Sequence, residues 1–458
     1  MKFPLKKNTA MAVPGVLALG LLAACGSGDS PSVPSANGKV SIEVSIDKGL
    51  EKGAIDAFKA RVAQFQKVNP NITVTSKEYM WTGTTFAAEL AGGTLPDVFP
   101  IPFTDGRGLI ERKQVADISG LIAKLPYAEK FNPNVALAGE DADGKMWAVP
   151  IAAYGQGLHY NRTMFKAAGL DPNAPPTTWA EVRRAAKAIA DSTGQAGYSE
   201  MTKSNTGGWI LTTLAYANGG RLEKTEGDKV TATVDTPQMK KVLEYLRSMR
   251  WEDNSMGANF LYDWATINQD FAAGKIGMYV SGGGNYGNLF TQNKLNPKDY
   301  GVTVLPLEGS DSGVLGGGTL AAVSAKASPA EQAASLKWID FYYMQKLTDK
   351  DAAILDAQTT ADQGQPVGAP QLPIFDQATY EESQVWIKDL INVPLDQMKP
   401  FTDAIFKQAL VAEPASSTQE LYAALDPVVQ AVLTDKNADI DKLLADAQIT
   451  VQSILDKS

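Results

Sequence analysis

Polar and apolar residues alternate over Val40–Ile46, the period of a half-buried strand. Ile55, Phe58, Val62 and Phe65 then recur at spacings of 3, 4 and 3, one apolar stripe of an amphipathic helix. Asn69-Pro70-Asn71 ends that helix, because proline disfavours helical geometry in the residue before it. Ile72–Thr75 returns to the two-residue period. Strand, helix and strand in this order make a βαβ unit, which predicts a parallel sheet covered by helices. A helix around Thr85–Ala91 stops at Gly92-Gly93, and Leu95–Phe99 reads as a third short strand.

Later segments repeat these signals. Thr178-Trp179-Ala180-Glu181 and Ser328-Pro329-Ala330-Glu331 are capping-box patterns that start helices. The second of these helices puts Ala334, Trp338 and Phe341 on one face. Ile276–Val280 and Gly301–Leu305 read as short buried strands, and Gly157–Asn161 as an alternating one. From about Ser417 the chain is helical, with Leu421, Leu425, Val428 and Val432 on one stripe. The fold class is α/β, and no internal repeat interrupts it.

The first forty residues follow other rules. Lys2, Lys6 and Lys7 precede an apolar run from about Ala10, broken only by Pro14, Gly15 and Gly20. That run is too short for a comfortable membrane span of ~20 residues, and its order of regions is that of a secretory signal. It ends in Leu22-Ala23-Ala24-Cys25, which resembles the bacterial lipoprotein box. The resemblance implies cleavage before Cys25, acylation of its thiol and an extracytoplasmic location. Residues 26–38, rich in glycine, serine and proline, read as a flexible tether.

Composition narrows the chemistry. Removing residues 1–24 leaves 434 of the 458, enough for two or three domains. The formal charge is −9, and the loss of three leader lysines takes it to −12. An acidic surface argues against nucleic acid and against a polyanionic ligand drawn in by long-range field. One cysteine permits no internal disulfide, and one histidine, His159, permits no multi-histidine metal centre. His159 lies within the alternating segment and reads as structural. Tyr342-Tyr343 could suggest ferric ion, but the helical stripe makes at least one of them core. The glycine runs 282–284 and 316–318 lack the patterns of phosphate-binding loops. No cofactor is expected.

Six pieces in order carry a family resemblance. They are Val68-Asn69-Pro70-Asn71-Ile72-Thr73-Val74 with Gly93-Thr94-Leu95-Pro96-Asp97-Val98; Trp147-Ala148-Val149-Pro150; Gly157–Asn161; Thr178–Glu181; Phe271-Ala272-Ala273-Gly274-Lys275-Ile276-Gly277-Met278 with Tyr300–Pro306; and Gly316–Gly318 with Ala321–Val323. Together they resemble the solute-binding proteins of ABC importers, in the group of the maltose-binding protein, from about residue 40 to the end. The resemblance implies two α/β lobes around a ligand cleft, residues 40–152 and 306–365 forming one and residues 153–305 and 366–458 the other. The crossings then fall near Ala152–Gln156, Val304–Leu307 and Gly364–Gln371, all punctuated by glycine or proline.

A sugar presents hydroxyls at its rim and weakly apolar faces, so its site needs carboxylates, amides and flat rings. Ligand sites of such folds lie where strands end at the lobe interface. Loops after the strands supply Asp47, Trp81, Phe103, Asp105, Asn285 and Tyr286. Tyr154 and Gln156 stand at the first crossing, Trp209 follows Gly207-Gly208, and Thr319 ends the second glycine run. The expected function is a lipid-anchored, monomeric carbohydrate receptor that delivers its ligand to transporter membrane subunits and is not an enzyme. An exported glycosidase with two carboxylates and an adhesive lipoprotein are the competing readings. A polyol, sugar phosphate or polyamine stays open as ligand.

Overall fold

The alternating segment Val40–Ile46 is strand β1, and the helix Lys52–Val68 carries the chain to β2 (Ile72–Glu78). The two strands pair in parallel from Val40 with Ile72 to Ile46 with Glu78, as a βαβ unit requires. Phe58 and Phe65 from the helix stripe are buried against Trp338, the Phe65 ring edge-on to it at 5.3 Å. Each such buried ring contributes about 1.5–3 kcal/mol by leaving water. Tyr342 stacks on Trp338 at 4.9 Å and belongs to the same cluster. This computed structural model describes residues 38–457 apart from Glu51, Asp228, Ala415 and Ser416. The leader, Cys25 and nearly all of the tether lie outside the described residues.

Strand β3 is Val98–Pro102, three residues later than the sequence pattern places it. Pro100 and Pro102 disguise it, since proline cannot donate to a ladder. The Asp97 carbonyl accepts from Ser324 N, so by alternation Phe99 and Ile101 also direct their backbone groups toward that neighbour. The two prolines direct theirs to the other side, where β3 meets β1 at the single pair Val44 with Val98. They therefore cost the sheet little.

Strand β4 (Val149–Asn161) is followed by the hairpin of β5 (Glu223–Glu226) and β6 (Lys229–Ala232), then by β7 (Met278–Gly282), β8 (Tyr300–Val304), β9 (Val314–Val323) and β10 (Leu410–Ala412). Among the described residues one sheet runs β2-β1-β3-β9-β4-β7, with β8 also on β4 and β10 on β9. Strand β4 joins two ladders. Val149 to Gly155 pair antiparallel with β9, and from Gln156 or Gly157 onward the partners are β7 and β8. The capping boxes at Thr178 and Ser328 are both formed. Among the described residues no helix is long and apolar enough to cross a membrane.

Two apolar clusters flank this arrangement. One gathers Ile42, Val44, Phe65 and Trp338, the other Tyr160, Ile210, Phe271 and Leu425. Ile374 and Phe375 belong to the first, and Phe375 stacks on Phe131 at 4.9 Å. The chain beyond Gly364–Gln371 thus still packs against the first half, through the helix Gln377–Ile387 whose neighbour is the helix Lys350–Asp362. The apolar Ile374-Phe375 pair is what holds it there.

Candidate functional site

Where β4 changes partners, Tyr154 faces Trp209 from the helix Thr206–Ala217. Their ring centroids lie 6.3 Å apart with planes at 77°, which makes an aromatic corner. The Tyr154 hydroxyl donates to Glu413 Oε2 at 2.9 Å, and the Tyr422 hydroxyl donates to Glu413 Oε1 at 3.0 Å. Burial raises the Glu413 carboxyl above the usual range, and the two phenol hydrogen bonds offset only part of that rise. Burial first, and then the Glu413 charge, hold Tyr154 well above the usual phenol range. Gly317 makes this approach of side chains to β9 feasible. A Cβ there would stand 2.6 Å from Tyr154 Oη and 2.9 Å from Glu413 Oε2.

Trp209 is aimed by a cap supplied from elsewhere in the chain. Asn205 has a left-handed backbone, φ 67°, and its own side chain caps nothing. Asp426 does the work instead, accepting from Asn205 N at 2.8 Å and Gly208 N at 2.9 Å. It sits on the helix Thr418–Thr434, one turn after Tyr422. Gly208 presses on that helix, for a Cβ there would lie 2.1 Å from Tyr422 O. One helix thus fixes both walls of the corner.

A second group gathers around β3. Thr104 Oγ1 donates to Asp105 Oδ2 at 2.9 Å. Burial raises Asp105, against the hydrogen bonding of Thr104, the Arg112 charge and the Trp81 side chain. Trp81 packs on Phe86 at 4.7 Å. Phe103 lies under Gly318, where a Cβ would come 2.6 Å from its ring, and Thr319 is half-buried opposite Pro102 and Ala152. Neighbouring residues of β9 therefore touch both groups, Gly317 the Tyr154 corner and Gly318 the Phe103 side. Asp47 is exposed at the end of β1, and its charge acts on Tyr342 and Tyr343.

Other expected site residues have different surroundings. Tyr286 is core, packed on Tyr300 at 5.0 Å and Phe290 at 5.9 Å. Asn285 Nδ2 donates to Asn268 Oδ1 at 2.8 Å and Tyr279 Oη at 2.9 Å, an internal polar network. Gln156 is fully buried opposite Gly282. His159 is buried between Tyr300 Oη, 2.9 Å from Nδ1, and Gly282 O, 3.0 Å from Nε2. A carbonyl only accepts, so Nε2 carries the proton and Nδ1 accepts from the phenol. Burial lowers this histidine to about 4, so it is neutral at pH 7. A cavity of about 380 Å³ bounded by Ile151, Leu347, Gln371, Phe375 and Ile387 contains none of the expected site residues. Around the Tyr154–Trp209 corner, Glu413, Tyr422 and Asp426 were not among the residues expected from the sequence. Only contacts spanning 218 to 259 residues bring Asp426 to Gly208 and Glu413 to Tyr154.

Residues 60–364 match the family described as bacterial extracellular solute-binding protein. The sn-glycerol-3-phosphate-binding periplasmic protein UgpB of Brucella abortus (strain 2308) is 28% identical over 202 residues, 42% of this chain and 44% of that protein. UgpB of Agrobacterium fabrum is 29% identical over 206 residues, with the same shares covered. The chain thus spans less than half the length of these curated relatives. Among solved structures, the cyclic alpha-maltosyl-1,6-maltose binding protein from Arthrobacter globiformis superposes with a TM-score of 0.68 at 22% identity, covering 92% of this chain and 100% of that one. The sugar-binding protein MalE from Xanthomonas citri gives 0.69 at 18%, covering 91% and 98%. UgpB from Mycobacterium tuberculosis, in complex with glycerophosphocholine, gives 0.67 at 17%, covering 92% and 99%. These neighbours share the two-lobed α/β fold.

Proposed function

Because the chain belongs to the family of bacterial extracellular solute-binding proteins, we propose that it is an importer's receptor for a neutral carbohydrate, held between two lobes. The observation that carries this reading is the corner of Tyr154 and Trp209 beside the Glu413 carboxylate. Rings offer flat apolar faces to a pyranose, and acids accept from its hydroxyls. Trp81 and Asp105 supply the same pair of chemistries from the β3 side.

The names of several relatives raise a phosphate-bearing ligand as the second reading. A phosphate wants cations or free backbone N–H groups. Here the acids Glu413 and Asp105 dominate, and the helix end beside Trp209 is already taken by Asp426. Arg112 is exposed, with its Nε on Gln114. Both oxygens of Glu413 already accept from phenols, which supports a binding role for this carboxylate over an acid–base one.

The test is a thermal-shift and calorimetric comparison of glucose, maltose and trehalose with sn-glycerol 3-phosphate and glycerophosphocholine. A sugar at 100 times its dissociation constant should add about 2.7 kcal/mol to stability. Trp209→Ala and Tyr154→Ala should each weaken it by about 30-fold, ~2 kcal/mol. Binding of the phosphate compounds alone would overturn the reading.

The lobes are divided at β4, whose ladder changes between Gly155 and Gln156. The first comprises residues 40–152 with 306–365 and, on the packing of Ile374, Phe375 and the helix Gln377–Ile387, extends through Ile387; the second holds the rest. Delivery is to transporter membrane subunits. Cys25 is the acylated N-terminus of the mature chain, and mass spectrometry showing an unmodified thiol or an intact Met1 would refute this.

A further inference from the structure

Gln156 is fully buried, yet neither its Nε2 nor its Oε1 has a hydrogen-bond partner among the protein's own atoms. Among the described residues no other amide side chain has both atoms buried and unpaired. Burying an amide without a partner is costly, and the same shape filled by an apolar side chain is not. A residue of this kind is explained when something outside the protein pairs it.

Its position says what that is. Gln156 follows Tyr154 by two residues on β4, so the two share a face of the strand. Across the ladder it opposes Gly282, the last residue of β7. At Gly282 a Cβ would meet no heavy atom within 4 Å, and that glycine is partly exposed. Partners directly opposite on one face hold their Cβ positions about 5 Å apart. The open space beside Gly282 is therefore within reach of the Gln156 side chain by rotation about its own bonds. Nearby, Asn285 Nδ2 donates to Asn268 Oδ1 and Tyr279 Oη, and His159 is occupied on both nitrogens. Asn285 Oδ1, Asn268 Nδ2 and Ser281 Oγ are each buried without a partner, but of these side chains only Gln156 presents an unpaired donor and an unpaired acceptor together.

We propose that Gln156 reads two adjacent hydroxyls of the ligand, its carbonyl accepting from one and its amide N–H donating to the other, in the open space beside Gly282. This rests on the carbohydrate reading above. It adds that the protein selects a vicinal diol next to the Tyr154–Trp209 corner, and that the price of the amide in the ligand-free protein is lower stability.

Two variants test it. Gln156→Met keeps the length and removes both hydrogen-bonding atoms. Gly282→Ala fills the open space and meets nothing, so it folds. Each is titrated with glucose, maltose and trehalose and with their monodeoxy analogues. The expected result is at least tenfold weaker binding of the sugar in both variants. In Gln156→Met that loss should shrink to threefold or less with the deoxy analogue lacking one of the two hydroxyls. Without ligand, Gln156→Met should melt about 1–2 °C above the wild type. A purely structural glutamine predicts the reverse, a lower melting temperature with unchanged affinity. Wild-type affinity in either variant, or a fall in the melting temperature of Gln156→Met, overturns the proposal. If the wild-type protein binds none of the sugars, the carbohydrate reading itself has failed and the proposal falls with it.

Discussion

At the scale of single residues, two buried titratable groups set opposing pH dependences. Burial raises Glu200 to about 8, against the hydrogen bonds from Tyr198 Oη, 2.8 Å, and the Met201 backbone. The folded chain therefore keeps a proton that the unfolded chain has lost from about pH 4.5 upward, and stability falls as pH rises to about 8. His159, lowered to about 4, acts the other way, since the unfolded chain gains a proton first as pH falls below 6.5. The two slopes cancel between about pH 4.5 and 6.5, and Glu200 acts alone from there to about 8. Glu200→Gln should remove that upper decline. Its stability advantage over the wild type should grow with pH by up to roughly 4–5 kcal/mol in all. Urea denaturation at half-unit steps from pH 5 to 9 measures it, and an equal decline in both proteins would refute the assignment. The histidine was legible because alternation alone puts it inside a strand. Glu200 was not, since nothing in Tyr198-Ser199-Glu200-Met201 announces a carboxyl sealed from water.

At the scale of elements, the helix Thr206–Ala217, which carries the candidate site residue Trp209, depends on a distant cap. The Asn205 side chain at its N-terminus makes no cap bond and donates to Gln419 instead, so the free N–H groups turn to Asp426. Losing a cap costs about 0.5–2 kcal/mol. Asp426→Ala should lower stability by that much and weaken sugar binding through misplacement of Trp209. In a Trp209→Ala background the same change should leave affinity nearly untouched while still lowering stability. Additive affinity losses in the double variant would show that Asp426 acts by another route. Elements whose signals are local were readable: the βαβ unit, the capping boxes and the Leu421–Val432 stripe all lie where their periods place them. Elements shaped by neighbours were not. β3 hides behind Pro100 and Pro102, and the widened turn Asp340–Met344 answers to the packing of Tyr342 on Trp338. The site divides in the same way. Tyr154, Trp209, Trp81 and Asp105 were candidates from the strands and glycines beside them, whereas Glu413, which accepts from Tyr154 and Tyr422, follows a three-residue strand with no pattern of its own.

At the scale of the whole molecule, the unbroken β4 is where motion between the lobes should concentrate. Its 13 residues serve β9 first and β7 with β8 afterwards, and glycines 155 and 157 flank the change. A ligand moves such an equilibrium only by binding one state better than the other. Shifting the population from 1:99 to 99:1 takes about 5.5 kcal/mol of that difference. Two aromatic anchors at ~2 kcal/mol each fall short of it. On the proposed carbohydrate reading, the Tyr154–Trp209 corner alone would therefore bind sugar without closing the protein, and closure would need further contacts, for which Trp81 and Asp105 on the β3 side are the candidates. Trp81→Ala should consequently bind sugar with a moderate loss, roughly tenfold, yet stay open at saturation. Small-angle scattering should show a smaller radius of gyration for the wild type with saturating sugar and little change for the variant. A variant that contracts as fully as the wild type would place Trp81 outside the closing contacts, and a wild type that binds tightly with an unchanged profile would remove the hinge from β4.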